Sequence, residues 1–261
     1  MIEEELSGGN ASGRVVRVGT TVRKARPSSW EAVAALLAEL RSRGVPAPEP
    51  IGVDDQGRAV LEFVPGALAM DVMPLGRADL ARVGRLVRAI HDASVGWRPP
   101  VGAAWDPVIA APGAELVCHN DLGPWNLVLG DRWTFIDWDG AAPSTRLWDL
   151  AYAAQAFALS DPAREPVEAA ADLAALVDGY GADGDLRRDL PEALGARAGA
   201  MLELLRSSRR TGREPWATMH DAGHGAHWAA VTAYAVQHRD AWAAALLPPD
   251  LGAAGPRPRA R

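Results

Sequence analysis

The sequence predicts an α+β fold in two lobes: a small antiparallel sheet with one helix, then a mostly helical second lobe. Three observations predict it. Residues 14–64 alternate short β-branched runs with a single amphipathic stretch. Pro65-Gly66 then interrupts the last of those runs. From about Leu147 onward the chain is rich in Ala and Leu at helical spacing. The expected organisation is an N-terminal lobe over residues 1–64, a helical lobe over 65–252, and a disordered tail over 253–261. A chain of 261 residues suits one large domain or two lobes, and 48% apolar residues allow a sizeable core.

The elements follow in order. Ser7 to Gly13 is a turn of small residues. Residues 14–24 read as two short strands joined at Gly19-Thr20. A helix follows from about Ser29 to Arg43, with Trp30, Val33, Leu36, Leu37 and Leu40 on one face, Ser28 or Ser29 as its cap, and Gly44 as its stop. Pro46, Pro48 and Pro50 hold an extended segment. Residues 51–53 and 59–64 flank Asp54-Asp55-Gln56-Gly57 as a hairpin. Residues 78–92 carry Leu80, Val83, Val87 and Ile90 at helical spacing, and a proline-rich loop follows. Strand-like runs return at 115–118, 126–129 and 133–136, and the helices after Leu147 break near Pro162 and at Gly179 to Gly184.

Composition excludes several classes. A net charge of -6 argues against a nucleic-acid binder, which needs a basic surface. The single cysteine, Cys118, excludes an internal disulfide framework and a cysteine-rich zinc site, and makes a reducing, cytoplasmic setting the expectation. The first residues are acidic and lack an apolar run, so no signal peptide is expected, and no run of apolar residues is long enough to span a membrane. Lys24 is the only lysine in the chain, which invites a reason for its retention.

The stretch Cys118-His119-Asn120-Asp121-Leu122-Gly123-Pro124-Trp125-Asn126 carries the chemistry, followed after a hairpin by Ile136-Asp137-Trp138-Asp139. A strand delivers a His and an Asp into a loop, an Asn closes it, and a further Asp stands at the end of the next apolar strand. Phosphoryl transfer from ATP needs these parts: a carboxylate to take the acceptor hydroxyl's proton, and hard oxygen ligands to hold Mg²⁺ against phosphates. The spacing follows the logic of the protein kinase catalytic loop and metal-binding Asp.

This pattern, His-x-Asp-x-x-x-x-Asn then Ile-Asp-Trp-Asp, resembles the aminoglycoside phosphotransferase and choline kinase family of kinase-like enzymes. Residues 61–66, Leu-Glu-Phe-Val-Pro-Gly, look like the family's hinge strand, residues 86–91 like the first helix of its large lobe, and residues 148–152 like its Asp-Leu-Ala helix. The resemblance implies a protein-kinase-like fold, with residues 1–64 as the nucleotide-binding lobe and the catalytic and metal-binding loops in the second. It implies an ATP- or GTP-dependent phosphotransferase using Mg²⁺ and acting on a hydroxyl of a small molecule, with an aminoglycoside-type antibiotic as one such acceptor. In that reading Asp121 is the catalytic base and His119 orients its loop. Asn126 and Asp137 ligate the metal, with Asp139 beside a second one. Lys24, or Arg23 if the strand register shifts by one, meets the phosphates, and Glu62, Phe63 and Val64 form the nucleotide hinge. Asp149 anchors the catalytic loop from within the lobe. The helix glutamate that pairs with the lysine in such enzymes falls at Val33 here, with Glu31 and Glu39 offset. The glycines of the Ser7–Gly13 turn lack the G-x-G-x-x-G spacing of a phosphate-covering loop.

Two further features compete. His220, His224 and His227 stand at i, i+4 and i+7, a metal-ligand spacing on a helix, although Gly223 and Gly225 weaken that helix and packing or substrate contact is the expected role. Asp161, Glu165, Glu168, Asp172 and Asp178 would suit a cationic acceptor by charge, while Arg206, Arg209, Arg210 and Arg213 pull the other way. Three functions are therefore in play: a small-molecule phosphotransferase, a kinase-fold binding protein with little activity, and a metal-dependent hydrolase built on the histidines.

Overall fold

The computed structural model describes residues 3–6 and 13–247. Of the expected turn over Ser7–Gly13, residues 7–12 lie outside the described residues, as does the tail over 253–261. A five-stranded antiparallel sheet comes first, built from β1 (Glu4–Glu5), β2 (Val16–Val18), β3 (Thr21–Lys24), β4 (Pro50–Val53) and β5 (Ala59–Glu62), in the order β1-β2-β3-β5-β4. The β2–β3 turn falls at Gly19-Thr20, where Gly19 takes a positive φ of 62° that an L side chain tolerates poorly.

Helix α1 (Trp30–Ser42) lies between β3 and β4 and buries Trp30, Val33, Leu36, Leu37 and Leu40. Its first turn is closed by the backbone carbonyl of Ser29; the Ser29 hydroxyl makes no capping bond, against the sequence expectation. Gly44, at φ +80°, reverses the chain after the last turn, and Val45 N–H reaches back to Leu40 O.

After Pro65 the chain forms β6 (Ala67–Leu68) and α2 (Arg77–Ser94). Then come β7 (Leu116–Cys118), β8 (Leu127–Leu129), β9 (Trp133–Phe135) and β10 (Ala142–Ser144). These four strands frame residues 119–141: β7 pairs with β10, with Cys118 opposite Ala142, and β8 pairs with both β6 and β9. The loop 119–126 therefore leaves one small sheet and enters the next, and residues 136–141 make the return journey.

The remainder is helical: α3 (Arg146–Ala158), α4 (Pro166–Tyr180), α5 (Gly184–Thr211), α6 (Trp216–Met219), α7 (Gly225–Gln237) and α8 (Arg239–Leu246). Helix α3 is buried almost throughout, as its run of alanines and Leu150, Tyr152 and Phe157 requires. Helices α2 and α4 touch backbone to backbone. A Cβ at Gly84 would lie 2.0 Å from Leu176 O, and one at Gly179 would lie 2.1 Å from Ala81 O. At both positions no side chain fits between the helices. Among the described residues no helix is long and apolar enough to cross a membrane.

Candidate active site

The strand register settles which basic residue faces the second lobe. Lys24 pairs with Ala59 across β3–β5 and Arg23 with Val60, so their side chains take opposite faces. Lys24 is buried, and its Nζ donates to Asp137 Oδ1 at 2.7 Å and sits 2.8 Å from Asp139 Oδ1. Arg23 turns the other way, to Asp54 at 3.4 Å. The structure thus places Lys24 in the site and Arg23 outside it. Burial alone would lower the Lys24 pKa; the facing carboxylates of Asp137 and Asp139 outweigh it and raise the value, so the ammonium stays charged.

No helix glutamate joins this group. Glu31 pairs with Arg26 and Glu39 with Arg43, while Val33 packs into the core. Asp137 and Asp139, from the loop after β9, take the place beside the lysine. Asp137 has left-handed backbone angles, φ 58° and ψ 66°, and Asn120 sits at φ 64°. Asp and Asn tolerate this region better than other L residues. Two such positions in one site mark a backbone held by its surroundings.

The carboxylate of Asp121 accepts from Asn126 Nδ2 at 2.8 Å and from Trp125 Nε1 at 3.3 Å, and Asn126 Nδ2 also reaches Asp121 O at 3.0 Å. The Tyr152 ring, from α3, meets Trp125 edge-on beside it, with centroids 6.2 Å apart. Burial raises the Asp121 pKa above the ordinary aspartate value, more than His119 and these hydrogen bonds lower it. Burial likewise raises the Asp139 pKa, against the pull of Lys24. Tyr152 is raised far above its usual range, by burial first and then by Asp121, so it stays a proton donor.

His119 is fully buried. Its Nε2 donates to Ile136 O at 3.0 Å, which leaves Nδ1 to accept from Asp121 N–H at 3.3 Å. The ring lies against Trp138, with centroids 4.5 Å apart. It therefore ties the Asp121 loop to the strand end that presents Asp137, and no hydrogen of its own points at a reacting position. Asp149 holds the same loop from behind: Oδ1 accepts from Asn120 N–H at 2.8 Å, and Oδ2 lies 3.0 Å from His91 Nε2. His91 Nδ1 meets the Tyr180 hydroxyl at 2.9 Å, which in turn receives Arg146 Nη1 at 3.2 Å.

Arg197 has no local sequence signal, whereas Tyr152 ends the 148–152 segment singled out above. Arg197, on α5 and 4% exposed, donates to Asn120 O at 3.2 Å and lies 4.0 Å over the Tyr152 ring. Tyr152 stacks nearly parallel on Trp228. A buried cation and a buried phenol thus stand directly behind Asp121.

Glu62, Phe63 and Val64, expected at the hinge, stand at and just after the end of β5. Glu62 pairs its side chain with Arg41 at 2.9 Å, Phe63 N–H bonds Thr20 O at 2.9 Å, and Arg17 lies 4.0 Å over the Phe63 ring. The Glu62 and Phe63 side chains are engaged with the N-terminal sheet and α1 and are not gathered with Lys24.

The other sequence candidates come apart. Gly223, at φ +108°, breaks the helical path between His220 and His227. Among the described residues only His91, Cys118 and Asp149 converge as three metal-ligating side chains, so the three histidines do not form a metal site. In that buried trio Asp149 is engaged by Asn120 N–H and His91, and Cys118 Sγ lies 3.7 Å from Thr145 O. Three of the five residues of the acidic run are in ion pairs: Asp172 pairs with Arg77 and Arg164, Glu168 with Arg77, and Asp178 with Arg187. These three carboxylates tie helices together, while Asp161 and Glu165 form no ion pair among the described residues.

The phosphotransferase enzyme family matches residues 3–107 and 97–189 of the chain, spanning both strands of the Lys24 hairpin and the whole catalytic segment. The chain belongs to this phosphotransferase family. It is similar to the trifolitoxin immunity protein of Rhizobium leguminosarum bv. trifolii, 31% identical over 156 residues, which are 57% of this chain. The match spans only 59% of the length of that curated relative. Among solved structures it is similar to an amicoumacin kinase in complex with AMP-PNP, Ca²⁺ and Ami, with a TM-score of 0.66 and 13% identity, over 90% of this chain and 88% of that one. It is also similar to a choline/ethanolamine kinase family protein from Mesorhizobium loti, with a TM-score of 0.61 and 19% identity, over 94% and 92% of the two chains. These likenesses establish the two-lobed kinase-like fold expected from the sequence.

Proposed function

We propose that this chain transfers the γ-phosphoryl group of ATP, or GTP, to a hydroxyl of a small molecule, in the cleft between a lobe over residues 1–64 and a lobe over 65–252. The observation that carries the reading is the bond from Lys24 of β3 to Asp137 and Asp139, beside an Asp121 held by Asn126. The parts needed for phosphoryl transfer thus come together from both lobes.

The donor set fits a divalent cation. Asn126 spends its Nδ2 on Asp121, and its remaining polar atom, Oδ1, is a hard oxygen donor, as are the carboxylates of Asp137 and Asp139. Asn126, Asp137 and Asp139 would hold Mg²⁺, which when bound neutralises phosphate charge. Lys24 stays charged between the two aspartates and supplies a fixed cation for the phosphates. Glu62 to Val64 offer backbone at the hinge for the nucleotide base.

Asp121 does the proton chemistry. The acceptor O–H bond breaks as its oxygen attacks the γ-phosphorus, the proton passes to Asp121, and the bond to the bridging oxygen breaks to release the nucleoside diphosphate. The raised Asp121 pKa suits a general base, since it makes the carboxylate a better proton acceptor. His119, Asp149 and Arg197 hold the loop in that posture. The alternative of a kinase-fold binding protein rested on the absent helix glutamate. Asp137 and Asp139 now supply the partners of Lys24, so that absence no longer favours it.

The likeness to an immunity protein and to an antibiotic kinase supports an antimicrobial compound as acceptor, and a resistance role in the cytoplasm. The acidic run gives little support for an aminoglycoside in particular, because Glu168, Asp172 and Asp178 are engaged in ion pairs. A test is to follow ATP consumption by pure protein across aminoglycosides, other hydroxylated antibiotics, amino alcohols and sugars, with the Asp137→Ala variant as control. Acceptor-stimulated turnover lost in the variant is the expected result; no stimulated turnover with any nucleotide or acceptor would contradict the reading.

A further inference from the structure

Two side-chain donors that hold the Asp121 carboxylate land on the same oxygen. Asn126 Nδ2 donates to Asp121 Oδ2 at 2.8 Å, and the indole Nε1 of Trp125 donates to that oxygen at 3.3 Å. Neither of them touches Oδ1. One contact alone would leave the carboxylate free to swing about it. A second, from a separate side chain, fixes its rotation.

The loop is built to bring that indole into place. Gly123 precedes the short turn Pro124–Asn126 with φ -111° and ψ 165°, angles that any residue adopts. Its missing side chain matters for space instead. A Cβ there would lie 2.3 Å from Trp125 Cε2 and Cζ2, and Cε2 is the ring atom bonded to Nε1. The indole therefore folds back over Gly123 to face Asp121. It also meets the buried Tyr152 ring edge-on, with centroids 6.2 Å apart, and packs onto the buried cluster that contains Tyr152, Ala198, Met201 and Leu205. A rotamer confined by these contacts holds its N–H in position before any substrate arrives.

We propose, resting on the phosphotransferase reading, that Trp125 is a positioning residue for Asp121: its indole N–H joins Asn126 on Oδ2 and so presents Oδ1 as the oxygen that takes the acceptor's proton. Trp125 acts through the carboxylate and not on the reacting atoms. Its loss lets the carboxylate swing out of line with the acceptor hydroxyl, which lowers kcat. Nucleotide binding rests on Lys24 and Asp137 and is left as it was. Gly123 serves the same end by making room for the ring, so disabling either residue should disable the same contact.

Two measurements on the full chain test it. With ¹⁵N-indole tryptophan, the Trp125 signal is the one among ten indole N–H resonances that vanishes in Trp125→Phe. It should move in Asp121→Ala and in Gly123→Ala; a signal that stays in place in Asp121→Ala overturns the proposal. The second measurement is ADP formation from ATP and Mg²⁺ with water as the acceptor. Trp125→Phe keeps an aromatic ring and lacks the N–H. Its kcat should fall about tenfold, the factor for one hydrogen bond to a charged group, with KM for ATP unchanged. Gly123→Ala should lose about as much, and the double variant no more than Trp125→Phe alone. With Asp121→Ala impaired, a wild-type kcat in Trp125→Phe, a loss confined to KM, or losses that multiply in the double variant each overturns the proposal and leaves the phosphotransferase reading standing. Turnover untouched by Asp121→Ala overturns the assignment of the base, and this inference with it. Absence of any Asp137-dependent nucleotide turnover strikes the phosphotransferase reading itself, and the role of Trp125 falls with it.

Discussion

Replacing Asp149 by Ala removes the anchor of the catalytic loop without touching a group assigned to the chemistry. Asp149 is fully buried and accepts two hydrogen bonds, from Asn120 N–H at 2.8 Å and from His91 Nε2 at 3.0 Å. A hydrogen bond to a charged group contributes about 1.5–3 kcal/mol, and each donor stranded in the interior costs about 1–3 kcal/mol. Taken together, the substitution should destabilise the protein by about 3–5 kcal/mol. Asp149→Asn is a finer probe. Its oxygen can still accept from Asn120, but its NH₂ group then faces the His91 Nε2 donor. Moving the His91 proton to Nδ1 would set it against the Tyr180 hydroxyl, which already receives Arg146. Asparagine should therefore destabilise by less than alanine and by more than zero. Urea unfolding, with midpoint and slope both measured, reads the difference. An Asp149→Ala protein within about 1 kcal/mol of wild type would refute the anchoring role.

Other consequences follow from the same contacts. Lys24→Met should lower kcat/KM for ATP by ~10²-fold or more, because a fixed cation facing the phosphates is lost, while Arg23→Ala, whose partner is Asp54, should stay near wild type; steady-state kinetics of the two variants compares them. Gly179→Ala forces a Cβ to within 2.1 Å of Ala81 O and should destabilise by about 1–3 kcal/mol or more as α2 and α4 separate, measured by urea unfolding. The acid limb of kcat/KM against pH should lie above the ordinary aspartate pKa, since Asp121 must be deprotonated to act and burial raises its value; activity is then lost as pH falls through that raised pKa, and a limb at or below the ordinary value would contradict the burial argument. Arg197→Met should lower kcat with little change in KM for ATP, and Arg197→Lys should restore part of it, because lysine can still donate to Asn120 O.

The parts of the site that were legible in the sequence lie in local patterns. A strand run ending in His119, a loop closed by Asn126, and an apolar strand ending in Asp137 each read from a few consecutive residues, and the β3–β5 pairing then chose Lys24 over Arg23. Long-range pairings were not legible. Arg197 stands 77 residues from the carbonyl it holds, and nothing in its helical neighbourhood marks it apart from the other arginines of α5. The acidic run misled for the same reason. Asp172 meets Arg77 across 95 residues, so its charge is spent on a contact that periodicity does not reveal. For the histidine triplet, the i, i+4, i+7 spacing implies one face only if the helix continues, and Gly223, whose weakening effect was legible, breaks it.

The central claim is that Asp121 takes the acceptor's proton in a site whose nucleotide side is built by Lys24 and Asp137. The most direct measurement compares Asp121→Ala with wild type in acceptor-stimulated ADP formation, alongside equilibrium binding of a non-hydrolysable ATP analogue to both. The account predicts a loss of turnover of ~10²–10⁴-fold with nucleotide binding retained. Turnover at the wild-type rate in Asp121→Ala would contradict it.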